Sequence, residues 1–345
     1  MSSKQIDSAA FEHCKEVINQ CKEEIAKRVV GQDSVIDGIL TALVADGHVL
    51  LEGVPGLAKT LAVKTISDIS GFDFKRIQFT PDLLPADITG TLIYEQNSGN
   101  FSVRKGPVFT NLVLADEINR APAKVQSALL EAMAEKQVTI GEKTYKLPEP
   151  FFVLATQNPI EQEGTYNLPE AELDRFLLKL IVSYPSAAEE VKIVASGGQA
   201  ESVPVKKILT NAELEKFRTL LNQVTCDEKI LEYIVSIVSA TRPPVARNVN
   251  ANKSLSSARM NASKGREDIH SYISFGASPR AGIALCRCAK VNAMFQGRSF
   301  VLPEDVKAVA PAVLRHRLVL SYEAAADGIT ADDLIARILA LLPVP

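Results

Sequence analysis

The sequence predicts an α/β domain built around a mostly parallel sheet, followed by a smaller domain made of helices. Short apolar runs rich in β-branched and aromatic residues predict strands, and they are "HVLLEG" (48–53), "FDFKRIQF" (72–79), "NLVLAD" (111–116), "FFVLAT" (151–156) and "LLKLIVSY" (177–184). The last four resemble strands that are buried on both faces. Helical patterns separate several of them, as in "APAKVQSALLEAMAEKQ" (121–137). Such alternation is typical of a parallel sheet covered by helices.

Composition places the chain among globular proteins of two domains. The 345 residues include 46% apolar and 23% charged residues, which is ordinary for a packed protein. A net charge of −3 disfavours a dedicated nucleic-acid binder, because such domains are usually strongly basic. No apolar stretch is long enough to span a membrane and the N-terminus lacks the apolar centre of a secretion signal, so we expect a cytoplasmic protein.

The predicted organisation has four parts and two insertions. Residues 1–28 carry apolar side chains at three- and four-residue steps, which predicts an amphipathic helix packed on the core. The α/β domain covers 29–197, a linker 198–208 and a helical domain 209–345. Extended halves around turn residues predict β-hairpins at 90–106 and 138–147. The basic segment 243–266 reads as a mobile loop, and a solvated insertion is favoured over a partner-binding arm.

The octapeptide "GVPGLAKT" (53–60) nearly matches the phosphate-binding loop G-x-x-x-x-G-K-[ST]. Such a loop points backbone N–H groups at phosphates from a helix N-terminus, while a lysine adds charge and a hydroxyl joins the Mg²⁺ shell. Alanine replaces the last glycine but keeps its N–H group. The octapeptide alone does not exclude coincidence. The candidate loop residues are Gly53, Val54, Pro55, Gly56, Leu57, Ala58, Lys59, Thr60 and Leu61.

Two carboxylates follow the predicted strand at 111–116. Asp116 and Glu117 end "LVLADE", and the carboxyl ends of strands in an open α/β sheet face the crevice where ligands bind. Asp116 can hold Mg²⁺ through water, and Glu117 can orient and deprotonate an attacking water. Simple solvent exposure at a strand end is the alternative. Their position downstream of Lys59 favours the chemical interpretation.

Three more polar residues stand where a phosphate site needs them. Asn158, after the apolar strand in "FFVLATQNP", can bind a phosphate or the attacking water, although asparagine before proline is also common in turns. Arg175 in "LDRF" can reach the phosphate of a neighbouring subunit or form a local ion pair. Arg280 follows Ser278, a predicted helix cap, and its place at a helix start favours an anionic partner over plain exposure.

Together, "GVPGLAKT", "LADEINRAP", "ATQNP", "LDRF" and "GASPRA" resemble the MoxR family of AAA+ ATPases. The resemblance runs from "VVGQ" (29–32) to "PAVLRHRL" (311–318), and alanine is common in that family at the position of Ala58. It implies an AAA+ P-loop NTPase core with inserted β-hairpins and a helical lid domain. The 243–266 segment seen here is longer than is usual in the family.

The resemblance also implies site roles. ATP is the expected ligand, with Mg²⁺ held by Thr60 and Asp116. Lys59 would bind phosphates, and Val30 and Gly31 of "VVGQ" would contact the adenine. Glu117 would be the catalytic glutamate and Asn158 sensor 1. Arg175 would be the arginine finger and Arg280 sensor 2. A further inter-subunit role for Arg120 is a weaker implication.

Partners follow from the same resemblance. It implies a ring of identical subunits, expected to be a hexamer, with ATP hydrolysed between subunits to remodel, mature or load a cofactor into a client complex. A protein with a von Willebrand factor A domain is the expected partner, and nucleic acid is not. A nucleic-acid-stimulated ring motor, a chelatase-type motor subunit and a scaffold without turnover remain the alternatives.

Overall fold

The structure is a computed structural model that describes residues 8–54, 59–97, 99–159, 164–197, 199–243 and 269–345. The chain forms two compact units. One unit is Glu12–Leu220, and the other is Leu221–Pro345 together with residues up to Phe11. The predicted bounds of the linker, at 198–208, and of the helical domain, from 209, remain predictions.

A five-stranded parallel sheet forms the centre of the first unit, in the order β2-β5-β8-β1-β9. Its strands are β1 (Val49–Glu52), β2 (Phe74–Gln78), β5 (Leu112–Asp116), β8 (Phe152–Gln157) and β9 (Leu178–Ile181). The predicted α/β fold is therefore confirmed. The central strands β5 and β8 are buried almost throughout. The prediction of burial on both faces is wrong for β2 and β9, because these edge strands expose part of their side chains to solvent.

Helices accompany this sheet, and those predicted within 1–28 and at 121–137 are among them. They are α1 (Ser8–Ala26), α2 (Asp33–Val44), α3 (Lys59–Ser70), α4 (Pro85–Thr89), α5 (Ala123–Glu135), α6 (Glu170–Leu173), α7 (Ala187–Ala195) and α8 (Asn211–Leu221). The apolar stripe predicted on the first helix is buried, with Cys14, Cys21 and Ile25 fully inaccessible. Gly71, with φ of +69°, follows the end of α3, as expected for a glycine that ends a helix.

Both predicted hairpins are present. The first pairs β3 (Gly90–Glu95) with β4 (Asn100–Lys105), and the second pairs β6 (Gln137–Ile140) with β7 (Lys143–Lys146). The hairpins contact each other: a Cβ added to Gly141 in the second turn would lie 2.6 Å from Leu92 Cδ1 of the first hairpin. The Lys105 ammonium lies 4.9 Å from the ring centre of Phe109 and 5.6 Å from that of Tyr145.

The second unit is mainly helical. Its helices are α9 (Glu228–Ala240), α10 (Pro279–Phe295), α11 (Pro303–Leu314), α12 (Tyr322–Ala326) and α13 (Ala331–Leu341). A short antiparallel pair, β10 (Ile273–Phe275) and β11 (Val319–Leu320), accompanies them. Arg298 binds both oxygens of buried Asp305, at 2.8 Å and 2.6 Å, which joins α11 to the end of α10. The predicted helical lid domain is confirmed.

One predicted feature falls almost wholly outside the described residues. Apart from residue 243, the basic segment 243–266 lies outside them, so the prediction of a loop there stays a prediction. Among the helices of the described ranges, none combines the length and the apolar character that crossing a membrane requires.

His48, directly before β1, is a buried polar residue whose ring contacts two other segments of the first unit. Its Nδ1 accepts a hydrogen bond of 3.1 Å from the Val153 amide, and Nε2 lies 3.2 Å from the Met133 carbonyl oxygen. The neutral tautomer with hydrogen on Nε2 satisfies both contacts. Burial lowers the pKa of His48 to about 4, although the Met133 hydrogen bond and Asp46 oppose that shift.

We expect the protein to lose stability in mild acid because unfolding lets His48 take up a proton. The folded pKa of about 4 lies below the ordinary 6.5, so the unfolded chain binds more protons between these values. As the pH falls through that range, the free energy of unfolding should fall by up to about 3 kcal/mol from this group. His48→Asn keeps an acceptor for Val153 and removes the titration. Urea unfolding between about pH 7.5 and pH 4.5 should give a shallower pH slope for the variant, and equal slopes would refute the assignment.

Candidate active site

The candidate site lies at the carboxyl ends of three neighbouring strands. In the parallel pairing of β5 with β8, Ala115 lies opposite Ala155, so Asp116 and Thr156 follow side by side. In the pairing of β1 with β8, Glu52 lies opposite Gln157. The end of β1 leads into the phosphate-loop sequence, and the ends of the other two strands lead to Glu117 and Asn158. The sheet therefore brings the sequence-predicted groups of three separate motifs to one edge.

Thr156 links the two predicted carboxylate residues. Its hydroxyl donates a hydrogen bond of 2.6 Å to Asp116 Oδ1 and accepts one of 2.8 Å from the Glu117 amide. Glu117 has left-handed backbone angles, φ 56° and ψ 50°, which are unfavourable for a residue other than glycine. A single 3₁₀ turn, Ile118–Arg120, begins directly after it. The backbone turns sharply at Glu117, and Thr156 supports this turn from the strand side.

The neighbouring edge strand supplies partners that the sequence analysis missed. Arg76 on β2 binds Asp116 Oδ2, with Nη2 at 2.5 Å and Nε at 3.0 Å. Gln78 Nε2 donates to Glu117 Oε2 at 2.7 Å, and its Oε1 accepts from Arg76 at 2.8 Å. Arg120 also donates to Glu117 Oε2, at 3.0 Å. Both carboxylates therefore have cationic or amide partners within the same unit, and the predicted inter-subunit role of Arg120 stays a prediction.

Lys59 and Gly53 occupy the places that a phosphate loop needs at its two ends. Lys59 begins α3, and its ammonium donates to the Gly53 carbonyl oxygen. Burial lowers the pKa of Lys59, while the charges of Asp116, Glu117 and Glu52 act in the opposite direction. A Cβ on Gly53 would lie 2.7 Å from the Val182 carbonyl oxygen, so only glycine fits against the residue after β9.

The structure describes only some of the other residues predicted to line the phosphate loop or to contact the adenine. Val54 and Leu61 are half-buried and Thr60 is exposed at the start of α3. The predicted residues Pro55, Gly56, Leu57 and Ala58 lie outside the described part of the chain. Val30 and Gly31 are half-buried, and Gly31 has φ of +74°.

A polar depression of about 420 Å³ adjoins the strand ends. Its lining residues are Glu52, Asn119, Gln157, Asn158, Pro159, Thr165 and Asn167. Asn158 is thus placed beside the residues that follow β1 and β5. Asn119 is 6% exposed, and its Oδ1 has no hydrogen-bond partner among the described residues. Asn119, one of the lining residues, therefore has a buried acceptor that the described residues leave unsatisfied.

The two predicted arginines lie in different units. Arg175 is exposed, and its Nη1 donates to the Leu130 carbonyl oxygen of the same chain at 3.0 Å. Arg280 is exposed in the second unit, near the start of α10. The predicted cap is confirmed, because the Arg280 amide donates to Ser278 Oγ at 3.2 Å and Pro279 is the first helical residue. Their roles toward phosphate stay predictions.

The oxygen ligands present suit Mg²⁺. Asp116 offers a carboxylate and Thr60 a hydroxyl, and Mg²⁺ prefers hard oxygen ligands while keeping several of its waters. Asp116 Oδ2 already accepts two hydrogen bonds from Arg76, so a metal there would share the carboxylate or displace the guanidinium. The donor set fits the predicted metal.

Comparison with known proteins shows the family of this chain. Residues 48–178 match the "ATPase family associated with various cellular activities (AAA)", and residues 265–338 match the "AAA lid domain". The chain is 47% identical to Chaperone MoxR1 of Mycobacterium tuberculosis (strain ATCC 25618 / H37Rv) over 322 residues, which cover 93% of this chain and 81% of that protein. The chain belongs to the MoxR family of AAA+ ATPases.

Two further comparisons cover nearly the whole of each chain. Protein MoxR of Methylorubrum extorquens is 30% identical over 341 residues, or 94% of both chains. A crystal structure of a protein from Cytophaga hutchinsonii ATCC 33406, at 2.00 Å resolution, superposes with a TM-score of 0.85 at 47% identity, covering 98% of this chain and 97% of that one. Membership in the MoxR family of AAA+ ATPases implies nucleotide binding.

The two hydrogen bonds of the Thr156 hydroxyl predict that two conservative substitutions will differ in their effect on stability. Thr156→Val leaves the Glu117 amide and Asp116 Oδ1 without this partner, which should lower the free energy of unfolding by about 1–3 kcal/mol. Thr156→Ser keeps the hydroxyl and should lose clearly less. Urea denaturation of both variants measures the difference. A loss in Thr156→Val no larger than the loss in Thr156→Ser would contradict a stabilising role for the two hydrogen bonds of the hydroxyl.

Proposed function

We propose that this protein hydrolyses ATP at the subunit interfaces of a ring, expected to be a hexamer, and uses that energy for chaperone-like remodelling of a partner protein complex. The observation that carries the proposal is the constellation at the strand ends, where Lys59, Asp116, Glu117 and Asn158 come from three adjacent strands. The 47% identity to a protein named as a chaperone supports the remodelling role.

Each residue has a distinct part in the proposed hydrolysis. The Lys59 ammonium binds phosphate oxygens, and Asn158 orients the terminal phosphate or the attacking water. Glu117 accepts the proton of that water as its oxygen bonds to the γ-phosphorus and the bond to ADP breaks. Asp116 and Thr60 would hold Mg²⁺, which neutralises phosphate charge when bound.

The hydrogen bonds at Glu117 bear on this role. Gln78 and Arg120 both donate hydrogen bonds to Glu117 Oε2 and so occupy that oxygen. They also fix its direction. In the proposed hydrolysis these partners hold the Glu117 carboxylate in place while water approaches its other oxygen.

The partner and the interface are part of the same proposal. By family resemblance, Arg175 acts on the ATP of the next subunit, and Arg280 of the lid contacts the nucleotide. The client is expected to include a protein with a von Willebrand factor A domain. The net charge of −3 favours a protein client over nucleic acid.

Replacement of the base tests the hydrolysis step. Glu117→Gln removes the proton acceptor and keeps a side chain of the same size, so ATP affinity should persist while turnover falls by roughly 10² or more. Binding of a fluorescent ATP analogue and steady-state phosphate release measure the two properties. Glu117→Asp serves as a control that keeps a carboxylate, and wild-type turnover in Glu117→Gln would remove Glu117 from the role of base.

The same variant can capture the client. A protein that binds ATP but does not hydrolyse it should retain partners that the wild-type cycle releases. Lys59→Ala, which loses the phosphate contact, is the matched control. Proteins retained with ATP by Glu117→Gln and not by Lys59→Ala are candidate clients, and retention of DNA or RNA alone would favour a nucleic-acid motor.

Mixing variants tests the interface. Arg175→Ala and Lys59→Ala should each abolish most turnover in pure rings. In mixed rings, some interfaces combine an intact Lys59 with an intact Arg175 from the neighbour, so part of the activity should return. Native mass spectrometry verifies mixing. Absence of recovery in verified mixed rings would refute action between subunits, and the Leu130 contact within the chain would then be the functional one.

A further inference from the structure

Gln126 is a buried polar residue in the middle of α5. Its side chain is fully inaccessible, and its neighbours Val125, Leu129 and Leu130 belong to the apolar core. Its Oε1 has no hydrogen-bond partner among the described residues. An apolar side chain would avoid that loss, so packing alone does not account for an amide at this position.

The Gln126 amide nitrogen joins two segments that are distant in sequence. It donates to the carbonyl oxygens of Ile118 at 3.0 Å and Ala121 at 3.1 Å, which flank the turn after Glu117. The Tyr166 carbonyl oxygen accepts from the same nitrogen at 2.9 Å, and because that nitrogen has two hydrogens, one of them is shared between two of the three acceptors. The Tyr166 amide in turn donates to the Asn119 carbonyl oxygen at 2.6 Å. The turn and the Tyr166 segment are therefore held together through one side chain and one backbone bond.

Both joined segments lead to the candidate active site. The Ile118–Arg120 turn starts at Glu117, whose left-handed backbone needs support on both sides. Thr156 supplies it on the strand side, and Gln126 fixes the carbonyl groups on the other side. Thr165, next to Tyr166, and Asn119 line the polar depression together with Asn158. A shift at Gln126 would thus change the position of Glu117 relative to Asn158.

We infer that Gln126 is a positioning residue for ATP hydrolysis. It touches no reacting atom, and it acts by holding the turn that carries Glu117 against the segment at Tyr166. The inference rests on the proposed function, in which Glu117 is the base. Loss of the hydrogen-bond donor of Gln126 should therefore reduce kcat and leave ATP binding intact.

Two substitutions at Gln126 and one on the same helix test the inference. Gln126→Met keeps the length without a donor, and kcat should fall at least about tenfold with KM for ATP within about twofold of wild type. In Gln126→Glu, the carboxyl faces three carbonyl oxygens and donates only when protonated. Its kcat relative to wild type should therefore rise as the pH falls from about 8 to about 6. Met133→Ala removes buried volume from α5 without touching these carbonyl groups, and it should lose stability with kcat retained.

Hydrogen exchange separates the possible outcomes. Exchange in residues 164–168 should accelerate at least about tenfold in Gln126→Met and stay near wild type in Met133→Ala. An unchanged kcat in Gln126→Met, an equal loss of kcat in Met133→Ala, or a loss expressed mainly in KM would each overturn the inference. A wild-type ring without ATPase activity would instead overturn the proposed function, and the positioning role with it. Unchanged activity in Gln126→Met beside an active wild type would overturn only the positioning role.

Discussion

The geometry of the site depends on the two hydrogen bonds of the Thr156 hydroxyl. This hydroxyl binds the side chain of Asp116 and the backbone of Glu117 at once, across the boundary between β8 and β5. The parallel register of these buried strands leaves little freedom for either partner. Because the Glu117 backbone is in the left-handed region, its conformation persists only where the surroundings determine it. The direction of the Glu117 carboxylate, and hence its contacts to Gln78 and Arg120, follow from this arrangement.

Charge is balanced locally around the strand ends. Asp116 is paired with Arg76, Glu117 with Arg120, and the Lys59 ammonium is near both carboxylates. Arg76 and Arg120 are each nearly half exposed, so solvent weakens these ion pairs and their partners can exchange at modest cost. A nucleotide with its metal would enter a site in which the negative side chains are already oriented by replaceable cations.

The sequence predicted the strands, the hairpins and the main carboxylates because these depend on local patterns. Asp116 and Glu117 follow an apolar run, and their common edge with β1 follows from parallel topology. Gln78 and Gln126 could not be predicted in the same way. Gln78 lies on an edge strand, and the residues of a strand do not reveal its position in the sheet. Gln126 binds backbone carbonyl groups, which every residue type has, so the sequence gives no signal for these contacts. The three polar residues in "FKRIQ" were the available sequence signal for an edge strand.

The contact between the two hairpins has a mechanical consequence. Leu92 lies over Gly141, and the Lys105 ammonium lies near the rings of Phe109 and Tyr145, so apolar packing and a cation–π contact connect them. Gly141 has φ of +62°, and the missing side chain leaves the space that Leu92 fills. A force applied to one hairpin would therefore be transmitted to the other. The two hairpins would then move together as one rigid element.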